Sequence, residues 1–169
     1  MAQNSSLAKS EFEQMAPKAE FMPQQAATPA HRFPLKPAPA PQSDGQKDYF
    51  VERDGVLFAG SHLLIDLWGA KRLNDQAYIE QALRHAAEAC GATLLHVHLH
   101  QFTGSGGVSG VAVLAESHIS VHTWPERDFA AFDVFMCGKC NPADALPVLR
   151  DYFEPTETQV ETNRRGIVR

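Results

Sequence analysis

The sequence has no apolar run near the ~18 residues that a membrane-spanning helix needs, so it is not read as an integral membrane protein. It has no surplus of basic charge either. Lys and Arg number 15 against 20 Asp and Glu, a net charge of −5, and a chain of that balance is not expected to bind nucleic acid. Cysteine is scarce, and its count of three is odd, which fits a reducing compartment better than a disulfide framework. The first residues lack the charged-then-apolar order of a secretory signal, and Glu11, Glu13 and Glu20 speak against a transit peptide. The expectation is a cytoplasmic protein whose 169 residues make one compact domain and a tail.

Two kinds of site are also missing. Cys137-Gly138-Lys139-Cys140 has the spacing of half a zinc knuckle, but no second Cys-x-x-Cys completes it. His96, His98 and His100 would point the same way from a strand at intervals of about 6.6 Å, too far apart for all three to hold one ion. No metal is expected. Around Ser117 there is no Gly-x-Ser-x-Gly elbow and no strand-turn-helix context, which excludes the common serine-hydrolase arrangement.

What is present begins with proline. Seven of the 11 prolines fall before residue 48, among Ala and Gln, so residues 1–47 are read as a disordered arm and 48–169 as the folded domain. In the domain, "VLFAGSHLLIDLWG" reads as a strand with Leu63, Ile65 and Leu67 on one side and Leu64 and Asp66 on the other. "NDQAYIEQALRHAAEAC" reads as a helix capped by Asn74 or Asp75, with Ile79, Leu83, Ala86 and Cys90 along one stripe and Gly91 closing it. "ATLLHVHLHQF", "VSGVAVLAES", "ISVHTW" and "FAAFDVFMC" read as four more strands, with "TGSGG" a loop and "PERD" a turn. "PADALPVLRDYF" reads as a closing helix with Pro142 near its first position. The order β-α-β-β-β-β-α points to an α+β two-layer sandwich, a mostly antiparallel sheet with helices on one face. Leu95, Val97 and Leu99 against Leu64 suggest that both faces of the sheet need cover, and a homodimer packed sheet to sheet would supply it.

The chemistry is concentrated in "ESHISVHTWPE", residues 116–126. A serine hydroxyl facing the carbonyl carbon of the preceding residue can attack its own peptide bond and convert that amide into an ester. Removal of the serine α-proton then expels the upstream chain and leaves a dehydroalanine, which hydrolyses to a pyruvoyl group. A neutral imidazole suits the base, and His122 is the candidate. A hydroxyl donor to the Glu116 carbonyl would stabilise the oxyanion, and Ser109 on the preceding strand is the candidate. Cys137 ends an apolar strand beside Gly138, where a thiol can face a cleft.

Together "GVSGVAVLAESHISVHTWPE" and "FDVFMCG" resemble the bacterial-type S-adenosylmethionine decarboxylase proenzymes, from about residue 60 to 153. The resemblance implies cleavage between Glu116 and Ser117 into a β chain of residues 1–116 and an α chain of residues 117–169. It implies Ser117 as the pyruvoyl and Schiff-base residue, His122 as the processing proton acceptor with Ser109 assisting, and Cys137 as the proton donor. It implies Glu126 on the ribose and Phe102 on the adenine, with Trp124 and Asp66 near the substrate; at Asp66 a glutamate was expected. The cofactor is then the pyruvoyl group, with neither pyridoxal phosphate nor metal. S-adenosylmethionine would be decarboxylated to the aminopropyl donor for spermidine. The alternatives are a pyruvoyl-dependent arginine or ornithine decarboxylase, and an unprocessed regulatory paralogue.

Overall fold

A computed structural model describes residues 49–168. The proline-rich arm, expected to be disordered, lies outside them. The described chain runs β1 (Val51–Arg53), β2 (Val56–Phe58), β3 (Gly60–Trp68), α1 (Gln76–Ala89), β4 (Leu94–Gln101), β5 (Val108–Leu114), β6 (Ser117–Trp124), β7 (Phe129–Cys137), α2 (Ala145–Phe153) and β8 (Glu157–Arg165). β1 and β2 form a small hairpin. The other strands make one six-stranded antiparallel sheet in the order β4-β5-β6-β7-β3-β8.

The period-two pattern decides which face is covered. Leu63, Ile65 and Leu67 of β3, Ile119 and Val121 of β6, and Phe132 and Val134 of β7 are buried against the helices. α1 returns Ile79, Leu83 and Ala86 to that layer, and α2 returns Leu149 and Phe153. Each fully buried Leu or Ile contributes about 1.5–3 kcal/mol, so this one layer supplies most of the driving force. Asp75 caps α1 by accepting the Tyr78 N–H at 3.0 Å, and Gly91 follows the helix at φ +72°. Tyr78 donates its hydroxyl to the Tyr152 carbonyl at 2.8 Å and ties the two helices together.

Several expectations shift by a few residues. The first long strand is broken after Phe58 into β2 and β3, and α2 is preceded by a separate 3-10 turn over Pro142–Asp144. Leu95, expected to share the core side with Val97 and Leu99, is 63% exposed, because a bulge between Leu94 and His96 takes it out of the alternation. β1 and β8 were not expected at all. β8 pairs with β3 along nine residues, yet "ETQVETNRR" has no apolar alternation, since it lies at the sheet's edge with little core to meet. The helix-free face is the one that carries His96, His98, His100, Leu64 and Asp66, and among the described residues no helix or second sheet covers it.

Candidate active site

The hairpin between β5 and β6 is tight. Leu114 pairs with Ser117, so Ala115 and Glu116 alone make the loop. Glu116 sits at φ +63°, a left-handed conformation that costs a residue with a β-carbon about 1–2 kcal/mol. That strain is stored at the residue whose carbonyl Ser117 would attack. Ser117, 8% exposed, opens β6 at the sheet's rim. Its Oγ accepts the backbone N–H of Cys137 at 3.2 Å and lies 3.5 Å from Cys137 Sγ. Cys137 Sγ in turn donates to the Glu116 carbonyl at 3.1 Å. One cysteine therefore holds the hydroxyl through its backbone and polarises the adjacent carbonyl through its thiol.

Ser109 and His122 form a second group. They pair across β5 and β6, and Ser109 Oγ lies 2.9 Å from His122 Nδ1. Trp124 follows on the same face with its ring 6.2 Å from that of His122, and Glu126 is exposed in the 3-10 turn after β6. Phe102, just past β4, is 48% exposed and meets His100 edge-on at 4.8 Å. Asp66 and His122 both pair with Ala131, which places them in one row across the helix-free face.

Within one chain the two groups do not meet. Ser117 and His122 are five positions apart on β6, about 16 Å along the strand, and an odd separation turns their side chains to opposite faces. Ser109 bonds His122 and does not approach the Glu116 carbonyl; there the donor is Cys137.

Between the groups lies a polar cluster that no motif in the sequence marks. His62 Nε2 is buried 3.4 Å from Asp133 Oδ1, too skewed for a hydrogen bond, and finds no other acceptor among the described residues. Ser120 donates to the other Asp133 oxygen at 2.8 Å, and Arg165 lies 3.3 Å from His62 Nδ1. The His118 ring is 6.2 Å from that of His62. Burial, then the neighbouring His62, holds the His118 imidazole below its ordinary pKa of 6.5, against a smaller opposite pull from Asp133. The usable signal was the alternation itself, which puts His62, Asp133, His118 and Ser120 on the face that the apolar residues leave.

A cleft of about 670 Å³ opens beside Cys137, lined among others by Tyr49, Phe50, Ala115, Lys139 and Cys140. The Gly138 N–H donates to the Tyr49 carbonyl at 3.0 Å, closing one wall. The His96 and His98 rings stack 6.4 Å apart, and among the described residues no three His, Cys, Asp or Glu side chains converge as a ligand set.

Two residues keep the frame close. Thr123 Oγ1 accepts the Val108 N–H and donates to the Leu73 carbonyl, both at 2.7 Å and both buried, locking β6 to β5 beside His122. A side chain on Gly110 would come within 2.2 Å of the His98 carbonyl, so only glycine lets β4 and β5 approach there.

The family model of S-adenosylmethionine decarboxylase matches residues 61–166. The S-adenosylmethionine decarboxylase proenzyme of Methanococcus vannielii is 49% identical over 112 residues, 64% of this chain and 91% of that protein. The proenzyme of the same name from Thermomicrobium roseum is 43% identical over 110 residues, 64% of this chain and 95% of that one. The crystal structure of the adenosylmethionine decarboxylase from Aquifex aeolicus superposes with a TM-score of 0.58 at 33% identity, over 66% of this chain and 94% of that one. The match spans the sheet, both helices and every residue of the two groups on β6, and the chain belongs to the S-adenosylmethionine decarboxylase family.

Proposed function

We propose that the chain cleaves itself between Glu116 and Ser117 and then decarboxylates S-adenosylmethionine with the pyruvoyl group made from Ser117. The observation that carries this reading is the triangle of the Ser117 hydroxyl, the Cys137 thiol and the Glu116 carbonyl at a strained hairpin. Attack by Oγ forms a C–O bond to the Glu116 carbonyl carbon, and the C–N bond breaks as the amine takes a proton. The Cys137 S–H stabilises the oxygen on which charge develops. His122, as neutral imidazole, then takes the Ser117 α-proton, and the Glu116 carboxylate leaves with the ester oxygen. Hydrolysis of the dehydroalanine releases ammonia and leaves the keto group. A pyruvoyl group supplies a carbonyl that condenses with the substrate amine and accepts electrons as carbon dioxide departs. Cys137 Sγ, already beside the Ser117 position, holds the proton that replaces carbon dioxide. Trp124 and Phe102 offer aromatic faces to a sulfonium and an adenine, and Glu126 offers a carboxylate to ribose hydroxyls.

The distance of about 16 Å between Ser117 and His122 favours a second copy completing the site. Two protomers packed with their strands reversed, so that the His122 end of one meets the Ser117 rim of the other, close that distance. The same packing covers the polar cluster around Asp133. Intact mass of purified protein tests the cleavage. The reading expects a smaller chain of roughly 6 kDa that begins with a pyruvoyl group, and a single full-length chain in Ser117→Ala. Full-length wild-type protein, or cleavage elsewhere, overturns it.

A further inference from the structure

The proposed reaction uses the first thiol of Cys137-Gly138-Lys139-Cys140 and leaves the last one without a task. We propose that Cys137 and Cys140 are a modification site, a thiol pair that hydrogen peroxide converts to a reversible disulfide. The Cys140 N–H donates to the Cys137 carbonyl at 3.3 Å, which closes a four-residue turn. The end Cα atoms of such a turn lie within ~7 Å, close to the span of about 4.4–6.8 Å that a disulfide bridges. Gly138 takes φ +57° inside the turn and lets the chain fold back on itself. Both thiols are half-buried and both line the 670 Å³ cleft, which opens to solvent and admits a small oxidant.

The restraint on Cys140 is weak. Cys140 Sγ donates only to the Gly91 carbonyl, at 3.4 Å, and a change of rotamer releases it. Burial, then the neighbouring Cys137 sulfur, pushes the Cys140 thiol above its ordinary range, which casts it as the second, resolving partner. Cys90 is the rival partner and is unsuited. It is 3% exposed, and burial pushes its thiol up to about 12.

In the first step the Cys137 thiolate attacks peroxide, an S–O bond forms, the O–O bond breaks and water leaves after protonation. Cys140 sulfur then attacks the sulfenic sulfur, the S–S bond forms, the S–O bond breaks and a second water leaves. Two thiols lose two electrons in total, and one peroxide accepts them. The consequence, which rests on the proposed function, is loss of the proton donor while the bridge lasts.

The test uses the full chain, treated with hydrogen peroxide, alkylated and digested without reductant. Wild type should give a Cys137–Cys140 cross-linked peptide, an intact mass lighter by two hydrogens, and full reversal by dithiothreitol. Ser117→Ala, which cannot make the cofactor, should cross-link equally, so the modification is read apart from the enzyme. Decarboxylation by wild type should fall by ~10²-fold or more and return on reduction. Cys140→Ser should be active before treatment, then lose activity irreversibly as Cys137 gains oxygen; Cys140→Ala serves if that variant is poorly soluble. Oxygen adducts without the cross-link in wild type, or a bridge to Cys90, overturn the proposal. A cross-link with unchanged decarboxylation upholds the modification and removes Cys137 from the proposed reaction.

Discussion

The two ends of β6 differ in how much of their chemistry one chain supplies. At the Ser117 end the hydroxyl is buried, anchored by a backbone N–H and set beside a polarised carbonyl in a strained loop. At the His122 end the imidazole is exposed, held by Ser109, and flanked by an aromatic ring on an open face. The first end is preorganised in the protomer, and the second lies open on the helix-free face. In the proposed reaction a single antiparallel strand separates the group that reacts from the group that moves its proton, and that separation would make assembly part of the chemistry.

The comparison can be broken first at the nucleophile. Ser117→Ala should abolish cleavage, read as one band on a denaturing gel, because nothing else at that end can form the ester. His122→Ala should slow cleavage by about 10²–10⁴-fold, read as the rate of appearance of the smaller chain. Cys137→Ala sharpens the distinction within the Ser117 end. In the proposed reaction its thiol assists the carbonyl during cleavage and is the proton source only afterwards, so cleavage should persist at a reduced rate while decarboxylation falls by about 10²–10⁴-fold.

Smaller effects probe the frame. Thr123→Val should leave the Val108 N–H and the Leu73 carbonyl unpaired in the core and lower stability by roughly 2–4 kcal/mol in denaturant unfolding. His118 gives a pH signature. Its pKa is lower folded than unfolded, so between the two values the unfolded chain binds more protons. Its contribution to stability is therefore intact above pH 6.5 and is lost as pH falls through 6.5 toward the folded value. Unfolding midpoints measured from pH about 7.5 down to about 5.5 should fall less steeply in His118→Asn than in wild type.

Much of this was legible because the core is regular. Leu63, Ile65 and Leu67 alternate, Ile79, Leu83 and Ala86 repeat at helical spacing, and β7 was read with its observed ends. Glu116, Ser117 and Cys137 were joined by the resemblance and not by the pattern, which ran the strand on through Ser117 where the chain turns at Ala115 and Glu116. β8 was illegible, since an edge strand with a charged outer face needs no apolar pattern. The cluster of His62, Asp133, Ser120 and Arg165 was illegible for a different reason. Its members come from four strands and acquire meaning only when the order β6-β7-β3-β8 sets them side by side. The gap between Ser117 and His122 was hidden in plain view, because five residues read as close in sequence and lie far apart on an extended strand.

The most direct measurement mixes two inactive chains. Ser117→Ala and His122→Ala are co-expressed with different tags, and each chain's mass is followed alone and together. If the site is completed by a second copy, the His122→Ala chain carries an intact Ser117 and borrows His122 from its partner. The account predicts that the His122→Ala chain is cleaved in the mixture and stays largely whole by itself, while the Ser117→Ala chain is whole throughout. Mixed dimers in which the His122→Ala chain is cleaved no faster than by itself would contradict it.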